Sequence, residues 1–363
     1  MKRLTLVLLL AIVASSATGG TLPFQQLPPT HENPYGLTTE KQFAAAYSSV
    51  IWPEFLRGKQ GTFQGVGNVN LHYRAFPPLG ASEKGTIVIS SGRTEGLIIY
   101  PELIHDLRRQ GYAVYIHDHR GQGFSGGRIG KEQRGDVSDF DHYVADLKTF
   151  VDEVVPKPRN GKLFLLAHSM GGGIATLFME RYAEVFQAAA LIAPMHDPLL
   201  PGPVTDKDRT RVICGASLVA KAWLNPAEYA LGQTEYVCYP FNDPRNDLTQ
   251  SPVRWNHTRA IYHAFAAAKV GGPTHRWIRE ACAAAEEARE NAASIAIPVL
   301  LIQAQNDAAV RNESQEEFCK AAPRCEGYSI PGARHALFIE RDDFRLATLN
   351  KTIEFFNRES AKK

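Results

Sequence analysis

The chain has only five cysteines in 363 residues, and none falls in a Cys-x-x-Cys or His-x-x-x-His grouping. Such spacings supply paired ligands to zinc, so no metal is expected. Excess charge is also missing. Removing Lys2 and Arg3 with the leader described below leaves 38 basic against 38 acidic side chains, from totals of 40 and 38. A balanced chain lacks the polybasic surface that binds nucleic acid, so no nucleic-acid partner is expected. No apolar run is long enough to cross a bilayer; the longest at the start, Leu4–Val13, is ten residues. The Gly-x-Gly at 121–123 has no P-loop lysine and no complete dinucleotide fingerprint. The stretch LFLLAHSMGGGIAT at 163–176 lacks the full Gly-x-Ser-x-Gly pattern, with Ala167 in the first glycine's place.

What is present at 163–176 still satisfies the physical demand behind that pattern. Leu163–Leu166 form a short apolar run, as in a strand buried on both faces. Ile174, Ala175, Leu177, Phe178 and Tyr182 then recur at helical spacing. The context is strand, tight turn, helix, with Ser169 at the apex. The positions two before and two after the apex crowd each other and must be small. Gly171 meets that demand, and Ala167 adds one methyl. Ser169 is therefore the candidate nucleophile.

The composition is that of a globular chain, 44% hydrophobic and 21% charged. Its length suits one large domain with an insertion. Residues 1–20 are expected to be a cleaved signal peptide, with Lys2 and Arg3 ahead of the apolar run and small residues at 14–20. No cysteine follows to carry a lipid anchor, so the mature protein is expected to be periplasmic or secreted. Export permits disulfides, and the odd cysteine count leaves at least one unpaired within the chain. Cys319 and Cys325 flank a short turn and are the first expected pair; Cys214 with Cys238 is the second.

An N-terminal extension is expected at 21–60, with a helix over 39–56. Short apolar runs follow at 63–66, 71–76, 86–90, 113–117, 163–167, 188–193, 297–304 and 328–330. The first two read as a hairpin, and the last six are separated by helices or long connections. Eight strands so arranged predict an α/β fold with a mostly parallel sheet covered on both faces. The core would comprise 61–194 and 297–363. The intervening 195–296 is too long for a crossover. It carries amphipathic stretches near 206–224, 246–265 and 273–291, and reads as a helical cap over the carboxyl edge of the sheet.

A serine nucleophile needs a base, and the base needs a carboxylate that fixes its tautomer. Asp307 lies just past the 297–304 run, and His335 lies in the loop after the last strand. The order Ser169, Asp307, His335 and their common sheet edge form a catalytic triad of the kind found in α/β hydrolases. Asp197, after the 188–193 strand, is the alternative acid. The oxyanion donors are expected to be the backbone N–H groups of Met170 and Arg93, the latter in the SSGRTEG loop at 90–96. The Arg93 side chain could reach a phosphate-bearing head group; alternatively it turns outward or pairs with Glu95. Asp118, Gly121, Gly123 and Ser125 read as turn builders, and His168 as a hydrogen-bonded scaffold residue.

DHRGQGFSGG (118–127), SDFDHYVADL (138–147), AHSMGGGIA (167–175), PTHRWIREACAAA (273–285), IPVLLIQAQND (297–307) and GARHALFIE (332–340) together resemble the lysophospholipase–monoglyceride lipase family of α/β hydrolases. The resemblance runs from about residue 40 to the C-terminus, and SSGRTEG brings it nearest the larger bacterial lysophospholipases. It implies an eight-stranded α/β-hydrolase core with a cap and the same triad. It also implies no cofactor, and a small-molecule lipid substrate reached through transient contact of the cap with a membrane surface. Where many members have histidine, this chain has Ser91. The expected activity is hydrolysis of the ester of a single-chain lipid, most directly a lysophospholipid. A monoacylglycerol lipase or general carboxylesterase is the alternative, and a non-catalytic binding protein on the same scaffold is the rival from another class.

Overall fold

The computed structural model describes residues 24–80, 83–128, 133–158, 161–199, 214 and 225–362. The expected leader at 1–20 and, apart from Cys214, the first cap stretch at 206–224 lie outside these residues. The strands are β1 Gln25–Gln26, β2 Lys59–Gly65, β3 Val69–Phe76, β4 Gly85–Ser90, β5 Tyr112–His117, β6 Leu163–His168, β7 Ala188–Ile192, β8 Val299–Ala304 and β9 Cys325–Ile330. They form one sheet in the order β1-β9-β8-β7-β6-β4-β5-β3-β2. β3 pairs antiparallel with β2 and β5, and every other pairing is parallel.

Among the described residues nine strands stand where eight were expected. The extra one is β1, two exposed glutamines paired beside Tyr328 and Ser329 at the sheet edge. Two polar residues carry no apolar alternation, so only the neighbouring strand reveals them. The expected 39–56 helix is split into α1 Glu40–Ala46, a wider π turn Tyr47–Ile51, and α2 Trp52–Arg57. Pro53 has no N–H to close a regular turn there, and the π turn precedes it.

Buried apolar strands explain why the sheet is sandwiched: β4, β7 and β8 are buried at every residue. One face is covered by α4 Asp141–Thr149, α5 Met170–Arg181 and α8 Asn312–Ala321, the other by α3 Pro101–Arg109 and α9 Asp342–Ala361. Within the insertion lie α6 Pro252–Ala264 and α7 His275–Glu290, matching the second and third amphipathic stretches. Ser251 and Thr274 cap them, accepting from the N–H groups of Arg254 and Trp277. α7 divides its contacts. Trp277 lines the cleft under the insertion and also joins the core, as do Ala281, Ala284 and Ala288 beside α5, where small side chains let two helices approach.

A buried charged cluster fastens the insertion to the core. Arg254 of α6 meets Glu102 at 2.9 Å and Asp342 at 3.0 Å, and Arg345 of α9 meets Asp106 at 2.8 Å. Arg254, Arg345 and Asp106 are almost wholly buried, and each has an opposite charge, which is the condition for burying ions. The cysteines form two bonds, Cys319–Cys325 and Cys214–Cys282, leaving Cys238 free and exposed. The expected partner of Cys214 was Cys238. Sequence spacing misled there, because Cys282 on α7 is brought to Cys214 by folding.

Candidate active site

Every strand from β4 to β9 ends at the same sheet edge, and the loops beyond those ends build the site. β6 runs into α5 through Ser169, whose φ of 52° and ψ of −121° hold a non-glycine residue in a strained conformation. The turn tolerates no bulk on one side. A Cβ on Gly171 would stand 2.2 Å from the Ser90 carbonyl oxygen, and one on Gly172 2.6 Å from Pro194. On the other side the Ala167 methyl is buried in the core with Met170 and Ile174. One methyl therefore replaces the first glycine without opening the turn.

His335 and Asp307 converge on this serine. His335 Nε2 is 2.9 Å from Ser169 Oγ, and its Nδ1 is 2.7 Å from Asp307 Oδ2. A carboxylate only accepts, so Nδ1 carries the proton and Nε2 offers a lone pair to the serine hydroxyl. Asp307 Oδ1 accepts from the N–H groups of Ala309 and Val310 at 2.8 and 3.0 Å, which fixes the carboxylate. Its side chain is fully buried. Asp197, the alternative acid, is engaged elsewhere: its carboxylate lies 3.2 Å from Arg311 Nε and accepts from Ser314 Oγ at 3.3 Å.

The loop after β4 is pinned on both sides of Arg93. The Gly92 N–H donates to Glu95 at 2.7 Å, and the Thr94 N–H to Gln122 at 2.6 Å. The Thr94 carbonyl accepts from the Tyr262 hydroxyl of α6 at 2.6 Å. Arg93 and Ser169 line one cleft of about 280 Å³. Met170 is the first residue of α5, where backbone N–H groups lack helical partners. At Ser91 the neighbouring loop meets the backbone carbonyl. His119 Nε2 lies 3.2 Å from the Ser91 carbonyl oxygen. Burial lowers the His119 pKa to about 4, so the ring is neutral and Nε2–H donates.

Behind the loop sits an ion pair that the sequence did not reveal. His168 Nδ1 lies 3.1 Å from Glu95, and its Nε2 lies 3.1 Å from the His335 carbonyl oxygen. Both neighbours are acceptors, so both ring nitrogens must donate and His168 is an imidazolium. Burial opposes that charge, but the Glu95 carboxylate outweighs it and raises the His168 pKa. The converse holds for Glu95: burial opposes its charge, yet His168, Tyr100 and the Gly92 N–H hold its pKa below the usual value. His168 is thus the scaffold residue its position suggested, with a charge that only the fold explains. A carboxylate two residues after Arg93 was the sole hint of Glu95.

Glu95 is therefore committed to His168, and the Arg93 guanidinium does not pair with it. Arg93 Nη2 donates to the Gly271 carbonyl at 2.7 Å, and the guanidinium lies 4.9 Å from the centre of the Trp277 ring. The four turn builders act as such. Asp118 accepts from the N–H groups of Leu97 and Phe124, Ser125 Oγ donates to the Asp118 carbonyl, and Gly121 and Gly123 have φ of 76° and 52°. A side chain on Gly123 would collide with Asp118.

A family model described as serine aminopeptidase, S33, matches residues 81–342. Lysophospholipase L2 of Escherichia coli K12 is 34% identical over 340 residues, spanning 89% of this chain and 95% of that protein. Probable lysophospholipase L2 of Haemophilus influenzae is 28% identical over 319 residues, spanning 88% and 97%. Among solved structures, a soluble variant of the Saccharomyces cerevisiae monoglyceride lipase with a substrate analogue has the same fold. Its TM-score is 0.65 at 20% identity, covering 84% of this chain and 96% of that one.

Proposed function

Since this chain belongs to the serine aminopeptidase S33 family and has lysophospholipase L2 among its relatives, we propose that Ser169, His335 and Asp307 hydrolyse the ester of a lysophospholipid. The chain is a lysophospholipase-type carboxylic-ester hydrolase. The observation that carries the residue assignment is the unbroken chain of hydrogen bonds from Asp307 through His335 to Ser169.

The steps follow from that chain. His335 Nε2 takes the proton as Ser169 Oγ attacks the ester carbon. The resulting oxyanion is received by the N–H groups of Arg93 and Met170, each worth on the order of 10²–10³ in kcat in comparable sites. His335 then gives the proton to the leaving glycerol oxygen, and an acyl-serine remains. Water, activated by the same histidine, releases the fatty acid and restores the serine. Asp307 holds the productive tautomer throughout. The apolar lining of the cleft by Met195, Leu248, Val310 and Ile339 suits one acyl chain.

The same reading places the mature chain outside the cytoplasm. Its support is the leader pattern at 1–20 and two disulfides, bonds that persist in oxidising compartments. Contact of the insertion with a lipid surface is supported by Leu231 and Val237, 86% and 48% exposed beside cleft residues Gln233 and Tyr236. The deciding experiment for the substrate is a panel of lysophospholipids, monoacylglycerols and p-nitrophenyl esters matched in acyl chain. The highest kcat/KM is expected on lysophospholipid. A preference for the monoacylglycerol would favour the lipase alternative.

A further inference from the structure

Two arginines line the cleft, and among the described residues neither has a carboxylate to balance it. Arg259 of α6 donates through Nη1 to the Tyr236 hydroxyl at 2.9 Å, and its guanidinium lies 3.9 Å from the centre of the Trp255 ring. Arg93 is held in the same way, by the Gly271 carbonyl and the Trp277 ring. In both residues Nε is buried and has no hydrogen-bond partner among the described residues. Neutral carbonyls, hydroxyls and rings orient a guanidinium but leave its charge unanswered. Burial pulls the Arg93 pKa down to about 10, still high enough to keep the charge at neutral pH. Of the carboxylates among the described residues, only Glu95 lines this cleft, and it serves His168.

α6 sets the two cations on one cleft. Arg259 and Tyr262 are three residues apart on the helix and share a face. The Tyr262 hydroxyl bonds the Thr94 carbonyl, next to Arg93. Both arginines line the cleft that holds Ser169. A half-buried cation with an unpaired N–H in a substrate cleft is matched by an anion that arrives with the substrate. A planar guanidinium suits phosphate, because its donors meet two oxygens at once.

We propose that Arg259, with Arg93, forms the subsite that binds the phosphodiester of the substrate's head group. The proposal rests on the lysophospholipase reading and adds what selects that substrate: a monoacylglycerol brings no anion, and an uncharged glycerol leaves both guanidinium groups unanswered. Trp255 and Trp277 serve as neutral platforms, so the phosphate does not compete with a resident carboxylate.

The test compares wild type, Arg259→Gln and Arg259→Lys on a lysophosphatidylethanolamine and a 1-monoacylglycerol of the same acyl chain. The ratio of the two kcat/KM values is expected to fall roughly 10- to 150-fold in Arg259→Gln, the size of a charge-assisted hydrogen bond. Arg259→Lys should recover part of it, since charge returns without the fork. An equal loss on both substrates would overturn the proposal and leave Arg259 as a support for the insertion. Inhibition of p-nitrophenyl butyrate hydrolysis by sn-glycerol 3-phosphate gives a second readout. It should weaken in Arg259→Gln; unchanged inhibition would overturn the proposal whatever the natural lipid. Inhibition by inorganic phosphate as strong as that by sn-glycerol 3-phosphate would overturn the head-group assignment. Failure of wild type to cleave any lysophospholipid would instead remove the substrate reading, with the inhibition assay still deciding whether the anion site exists.

Discussion

The ring of His168 donates to the backbone carbonyl of His335 across 3.1 Å, so the residue before the serine holds the histidine that serves it. Through its other nitrogen His168 pairs with Glu95, which also accepts from the Gly92 N–H beside the proposed oxyanion donor. One buried ion pair thus braces both the base and the oxyanion loop. Neither member touches the reacting atoms; both are positioning residues.

Glu95→Gln tests this bracing. The amide can still accept from Gly92, but it no longer favours a charged His168. At neutral pH the ring would lose a proton and with it one donated bond. kcat should fall with little change in KM. The ratio of wild-type to variant kcat should shrink only well below about pH 6.5, the ordinary histidine value, because burial without the Glu95 charge lowers the His168 pKa in the variant and the ring is protonated in both only there. A ratio independent of pH would show that Glu95 acts only by shape.

Glu180, at the end of α5, has two buried carboxylate oxygens without hydrogen-bond partners among the described residues. Burial first, and Glu287 second, push its pKa from 4.5 to about 8. The folded value lies above the unfolded one, so folding takes up a proton between them. Stability from this group is complete below about pH 4.5 and is lost as pH rises to 8. Glu180→Gln should therefore raise Tm, by an amount that grows from pH 5 to pH 8 and then levels. Thermal melts at pH 5, 7 and 9 check this; an equal shift at all three would contradict it.

Asp307→Asn should cost on the order of 10⁴ in kcat, because the amide favours the wrong tautomer of His335. Asp197→Asn should cost little, since Asp197 binds Arg311 and Ser314 instead. Steady-state kinetics on one ester substrate compare the two. The reverse order would move the acid to the loop after β7.

The two disulfides close loops of very different length, with separations of 68 and 6 residues. In the chain-entropy account, losing Cys214–Cys282 should cost about 4 kcal/mol and losing Cys319–Cys325 about 2 kcal/mol. Denaturant titrations of Cys214→Ser and Cys319→Ser rank them. Non-reducing peptide mapping should find both links and an alkylated Cys238; a Cys214–Cys238 link would contradict the pairing.

The strands, and the three residues that meet at Ser169, were legible because each carries a local signal. Buried parallel strands read as short apolar runs, and Ser169, Asp307 and His335 each follow one. The glycines after Ser169 announced the tight turn even with Ala167 in place of the first. What stayed hidden depends on contacts between distant segments. β1 has no apolar residues to mark it, and Cys282 meets Cys214 only after α7 has packed. Glu95 and Arg259 are surface-like residue types whose place in the cleft becomes visible only once the insertion closes over the sheet.

The central claim is that Ser169 is the activated nucleophile. A fluorophosphonate probe bonds only a serine whose proton is being withdrawn. Mass spectrometry of the labelled protein is expected to place the adduct on Ser169. Ser169→Ala, melting as wild type does, is expected to lose both the label and lysophospholipid hydrolysis. An adduct on another residue, or hydrolysis that survives in a folded Ser169→Ala, would contradict the account.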